Sequence, residues 1–119
     1  MKRLQKIISN ITIDGQGPFD VYAMDDFDFC ENLKFDDPQG IYAFAYHYIE
    51  NGRHMFIMYY LGKTTEYDQR FYHHHKEEPL KTVNPNCVLI YACNKPMMDK
   101  QEVEWIRLWQ PPYNKQHNS

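Results

Sequence analysis

Residues 40–62 read GIYAFAYHYIENGRHMFIMYYLG, and this stretch decides the fold. Tyr42, Phe44, Tyr46 and Tyr48 recur at every second position, the period of a half-buried strand. Glu50-Asn51-Gly52-Arg53 then supplies a turn, with Asn-Gly the strongest short-range hairpin cue. Residues 54–61 form the returning strand, which Gly62 ends. The core of the chain is therefore a β-hairpin rich in aromatic residues.

Downstream, Thr65 with Asp68 three residues on resembles a capping box, and predicts a helix running to about Lys76. Pro79 and Asn84-Pro85-Asn86 break the chain. Residues 87–93 (CVLIYAC) are apolar on both faces, as in a central or covered strand. Pro96 stops it, and a second helix is expected from about Met98 to Trp109, with Asp99 as candidate cap and Pro111-Pro112 as terminator. Upstream, residues 1–39 read as an extension packing on this core, acidic in its second half. Lys6 to Ile13 fits a short strand or the start of a helix, and Asp14 to Pro18 a turn. The order from Gly40 is strand, strand, helix, strand, helix.

Two triplets in the hairpin, Gly40-Ile41-Tyr42 and Tyr60-Leu61-Gly62, resemble the paired signature of the GIY-YIG nuclease family, with Leu61 replacing the second isoleucine. Lys63, Arg70, His74, Glu102 and Pro111-Pro112-Tyr113-Asn114 follow at spacing similar to the family's. The resemblance spans residues 40–114, with a hairpin longer than the family's usual one. It implies an α/β (α+β) fold: a small three-stranded antiparallel sheet flanked by helices in residues 40–119, preceded by the extension of residues 1–39. It also implies an endonuclease that hydrolyses phosphodiester bonds in DNA with Mg²⁺ or Mn²⁺. A catalytically silent module of the same shape, binding nucleic acid or a protein partner, is the alternative.

The resemblance assigns the roles. Tyr42 is the general base or a relay through water, and Tyr60 positions water or phosphate. A free tyrosine titrates near about 10, so base action needs a neighbouring cation, for which Lys63 is the expected source. Tyr59 and Tyr60 point to opposite faces, so one of them alone faces the site. Arg70 offers a planar fork to phosphate oxygens. His74, four residues on, protonates the leaving oxygen or binds phosphate. Glu102 is the metal ligand, since a hard dication needs one or two carboxylates and keeps several waters. Asp99-x-x-Glu102 also fits a helix cap. Asn114 holds parts of the site in place by hydrogen bonds.

Other clusters carry less. His73, His74 and His75 are consecutive, so on a helix they point about 100° apart and do not share one tetrahedral zinc. His47 and His54 read as polar strand residues, and Trp105 with Trp109 as a packing stripe. Cys30, Cys87 and Cys93 form no CxxC pair, which suits reduced thiols in a cytoplasmic protein. No apolar run reaches the roughly 18 residues of a membrane span.

The chain has 119 residues, of which 43% are hydrophobic and 16% aromatic, as in one globular domain. Net charge is −3 and the pI about 6.0, which argues against a protein that coats nucleic acid through neutralised phosphates. A local basic site remains compatible with it. The substrate is expected to be DNA, single- or double-stranded, approached as a homodimer or with a partner protein.

Overall fold

The computed structural model describes residues 2–24, 33–71 and 74–114. Its strands are β1 (Lys2–Arg3), β2 (Gln5–Ile13), β3 (Gln16–Ala23), β4 (Leu33–Lys34), β5 (Gly40–Glu50), β6 (Arg53–Thr64) and β7 (Cys87–Ala92). Its helices are α1 (Tyr67–Arg70), α2 (Glu77–Lys81) and α3 (Lys95–Trp109). The main sheet has five strands in the order β2-β3-β7-β5-β6, every neighbouring pair antiparallel.

This corrects the expectation of a small three-stranded sheet flanked by helices. The hairpin β5–β6 and the strand β7 are present, but two more strands come from residues expected to lie outside the sheet. β3 pairs with β7 in the register Asp20↔Ile90 to Ala23↔Cys87. The reason lies in alternation. Phe19 and Val21 are fully buried against α3, while Tyr22 is buried on the other face. Asp14 and Gly15 both take positive φ, 53° and 75°, the conformation of a two-residue hairpin turn. Asp25, Asp26, Asp28 and Glu31 of the acidic stretch, with Cys30, lie outside the described residues.

The two faces of the sheet bury different layers. One packs Ile41, Ala43, Leu61, Cys87 and Leu89 under Met98, Trp105 and Ile106 of α3. The other packs Tyr42, Phe44, Tyr60, Val88 and Ile90 against Phe35, Tyr67, Phe71 and Leu80. β7 is the middle strand and is buried on both faces, in keeping with its unbroken apolar run. At about 1.5–3 kcal/mol for each fully buried large apolar side chain, either layer alone outweighs any single hydrogen bond of the site.

The helices also differ from expectation. The segment read as one helix from Thr65 to about Lys76 is helical over Tyr67–Arg70, and a separate short helix, Glu77–Lys81, begins just beyond it. Aromatic and histidine residues are poor helix formers, and Phe71 and His74 both turn into the core. α3 begins earlier than Met98. Asn94 is its cap, accepting from Met97 N at 3.1 Å, and Pro96 sits in the first turn, where its missing N–H costs nothing. Asp99 is therefore not the cap. Among the described residues, no helix is long and apolar enough to cross a membrane.

Candidate active site

Tyr42 projects from β5 directly opposite Gly62 of β6. A Cβ on Gly62 would lie 2.5 Å from Tyr42 Oη, so the glycine leaves room for the phenol to cross the neighbouring strand. Gly40 has φ +144°, and a Cβ there would run into Tyr91 O and Tyr67 Oη. Tyr67 Oη instead donates to Ile41 O at 2.6 Å. Both glycines are thus demanded by close neighbours, Tyr42 Oη at Gly62 and the Tyr91 carbonyl with Tyr67 Oη at Gly40.

The Tyr42 hydroxyl meets two partners. Arg70 Nε donates to it at 3.1 Å, and His74 Nε2 lies 2.7 Å away. The rings of Phe44, Tyr60, Phe71 and His74 enclose the phenol, with centroids 5.6, 6.2, 5.0 and 5.6 Å from its own. Tyr42 has no exposed surface and His74 is 4% exposed. Burial drives the Tyr42 pKa well above its ordinary value, while Arg70 pulls the other way. Burial, with the nearby His75, Arg70 and Lys76, pushes the His74 pKa down to about 3. His74 is therefore neutral at physiological pH.

Tyr60, rather than Tyr59, faces Tyr42. A bulge between Phe44 and Ala45 separates the pairs Phe44↔Tyr60 and Ala45↔Met58, and the Tyr59 ring packs on Tyr113 instead. Tyr60 Oη lies 3.2 Å from His75 Nε2. Burial raises the Tyr60 pKa, Arg70 and the nearby Tyr42 hydroxyl oppose the rise, and the Glu102 charge adds to it. Arg70, His74 and the exposed His75 line a cleft of about 390 Å³ with Thr64, Thr65, Glu66 and Gln69. Sequence reasoning missed His75. It was weighed as one of three zinc ligands, whereas its signal was adjacency to His74 on a segment that is not helical.

Lys63 is placed differently from expectation. It pairs with Ile41 across the hairpin and so lies on the α3 face, away from Tyr42. Its ammonium is 2.7 Å from Asp99 Oδ1 and 3.6 Å from Glu102 Oε1. The hydrogen bond that Lys63 donates to Asp99 holds the Lys63 pKa above normal. The cation beside Tyr42 is Arg70. Tyr60, on the edge strand β6, is where the two groups come within electrostatic reach, since it feels both Arg70 and Glu102.

Among the described residues no three His, Cys, Asp or Glu side chains cluster as a metal-binding group. Asp99 and Glu102, one turn apart on α3, nonetheless fit a hard dication that keeps most of its waters. The Lys63 ammonium already occupies the position such a charge would take. Asp99 is a second carboxylate that the sequence reading spent on a cap.

Asn114 is 1% exposed and works as a clip. Its Oδ1 accepts from Leu61 N at 2.9 Å and its Nδ2 donates to Leu61 O at 2.8 Å, while Tyr113 N donates to Tyr59 O at 3.0 Å. The tail thereby satisfies the outer backbone groups of β6 next to Tyr60. Comparisons of the chain with protein-family models, with curated proteins and with solved structures gave no match.

Proposed function

We propose that the chain is a GIY-YIG-type endonuclease, hydrolysing phosphodiester bonds in DNA with Mg²⁺ or Mn²⁺. The observation that carries this reading is the Tyr42 hydroxyl held between Arg70 and His74 beside an open cleft. Phosphodiester hydrolysis needs balance for charge growing on the phosphate and a proton for the departing oxygen. Arg70 is exposed and lines the cleft, so its guanidinium is available to a phosphate's oxygens as a fixed charged fork. Thr64, Thr65 and Gln69 add neutral donors. Tyr42, fully buried, acts through the groups it bonds rather than by touching water. A dication held at Glu102 and Asp99 would supply Lewis-acid stabilisation of the phosphate oxygens.

The test is incubation of the protein with single-stranded, double-stranded and branched DNA, with and without Mg²⁺ or Mn²⁺. Metal-dependent cutting of any of them supports the reading, and binding without cutting under every condition overturns it. The complete burial of Tyr42 favours one alternative, a silent module that binds nucleic acid or a protein without cleaving it.

A further inference from the structure

We propose that His47 and His54 form an open two-histidine site for a dication of the zinc, nickel and copper class, fastening the two strands of the β5–β6 hairpin where β7 no longer flanks them. The site stands whether or not the chain cuts DNA.

Alternation along the strands places both side chains. The register sets His47 opposite Phe56 and Ile49 opposite His54, so the two histidines stand diagonally on one face of the hairpin. This is the α3 face, to which Ala45 and Met58 belong, and not the face of Tyr42. Lys63, which meets Asp99 and Glu102, pairs with Ile41. Six residues, about 20 Å, separate Ile41 from His47 along β5, so the two places are distinct.

His47 Nε2 lies 2.8 Å from His54 Nδ1, and the rings stack with centroids 5.1 Å apart and planes at 25°. The Phe56 ring backs His47 at 4.9 Å. The main chain of His47 is clamped by one side chain: its N–H donates to Asn86 Oδ1 at 2.7 Å, and its carbonyl accepts from Asn86 Nδ2 at 2.9 Å. Asn86 N in turn donates to Ala45 O at 3.1 Å. One ligand therefore stands on a fixed base. The other, His54, is exposed just past the Asn51-Gly52 turn and is free to adjust.

Two ring nitrogens this close share one hydrogen, which one donates and the other accepts through its lone pair. A dication takes the place of that hydrogen and uses both lone pairs. With metal–nitrogen bonds of roughly 2.0–2.1 Å, a tetrahedral ion holds two nitrogens about 3.3 Å apart, so the rings need to open by about 0.5 Å. From a neutral pair no proton is lost; His47 carries its ring proton on Nδ1 and His54 on Nε2. Imidazole suits zinc, copper and nickel, whereas Mg²⁺ demands oxygen. Among the described residues no third His, Cys, Asp or Glu joins the pair, so water fills the remaining positions. The gain is local. β7 pairs with β5 over Gly40–Ala45, and the hairpin beyond lacks that neighbour. A metal across residues 47 and 54 ties its strands together there.

The test titrates the full-length protein with Zn²⁺ and Ni²⁺ by calorimetry. Excess Mg²⁺ is present throughout, to fill a carboxylate site while leaving imidazoles free. One equivalent is expected to bind. His47→Gln and His54→Gln are each expected to weaken it at least about tenfold, since even an outer-shell partner of a metal ligand is worth that much. His54 is exposed, so its variant is expected to keep the wild-type circular-dichroism spectrum. Nitrogen-15 NMR with Zn²⁺ is expected to shift His47 Nε2 and His54 Nδ1 together. An affinity unchanged in both variants overturns the proposal. So does a Zn²⁺ response confined to other histidines, or a wild-type protein that takes up neither metal.

Discussion

Acidification is expected to destabilise the protein through His74 more than through any other histidine described. The ring is 4% exposed, and its pKa falls from about 6.5 unfolded to about 3 folded. A group whose folded pKa is depressed contributes stability that is present above the unfolded pKa and lost as pH falls towards the folded one. The window therefore runs from pH 6.5 down to about 3. Each pH unit inside it costs about 1.4 kcal/mol, so acidifying from pH 7 to pH 4 removes about 3 kcal/mol. That is a large part of the roughly 5–15 kcal/mol that holds a typical domain together. His75, Arg70 and Lys76 all oppose a charge on the ring, and Tyr42 faces it with an oxygen already bonded by Arg70. The assay is urea unfolding of the wild-type protein and His74→Gln at several pH values. Glutamine keeps an N–H to offer Tyr42 but does not titrate. Carboxylate titration is common to both proteins, so the difference between their stabilities isolates the histidine. The variant's disadvantage at pH 7 is expected to shrink by about 3 kcal/mol at pH 4. Parallel stability curves between pH 7 and pH 4 would refute a neutral, buried His74.

Other outcomes are as concrete. Asn114→Ala removes two hydrogen bonds and leaves Leu61 N and O without these partners, an expected loss of about 2–4 kcal/mol in denaturant unfolding, with under 1 kcal/mol as the contrary result. Arg70→Lys is expected to lower the cleavage rate about 10²-fold, because a point charge does not reproduce a fork that spans Tyr42 and phosphate; an equally active lysine variant would show that charge alone matters. Glu102→Gln is expected to abolish metal-dependent cleavage while leaving the circular-dichroism spectrum intact, and activity that survives at ordinary Mg²⁺ would remove Glu102 from the metal site. Deletion of residues 1–23 is expected to prevent folding, since it strips β3 from β7 and removes the buried Phe19, Val21 and Tyr22. A truncated chain with native-like unfolding cooperativity would contradict that.

The parts of the fold legible in the sequence were those where local pattern and tertiary demand agree. The aromatic alternation of β5 and the Asn51-Gly52 turn are such a case, and so is the apolar run of β7. The β2–β3 hairpin was hidden because β2 is mostly exposed and shows little apolar alternation, although Asp14-Gly15 is a strong hairpin cue. At the site, the meeting of Arg70 and His74 was anticipated, but on one continuous helix, whereas α1 ends at Arg70. The two side chains converge because both bond Tyr42 Oη. Lys63 was assigned to the wrong face although the sequence held the cue: it stands three residues from Tyr60, and an odd spacing along a strand reverses the face. His75 and Asp99 became visible only once the short α1 and the early start of α3 were known.

The five-stranded sheet has two outer strands, and each is closed to a further strand in a different way. β2 slips register against β3 three times and carries Asn10 at φ 55°, so its outer backbone groups do not form a straight ladder that another chain could copy. β6 bulges once, at Tyr59, and there the chain's own tail already takes the hydrogen bonds of Tyr59 and Leu61. Losing Asn114 would therefore do more than loosen the fold. It would uncover a template for pairing with a second molecule, and aggregation on storage, rather than a lower melting point, would be the earlier sign of the damage.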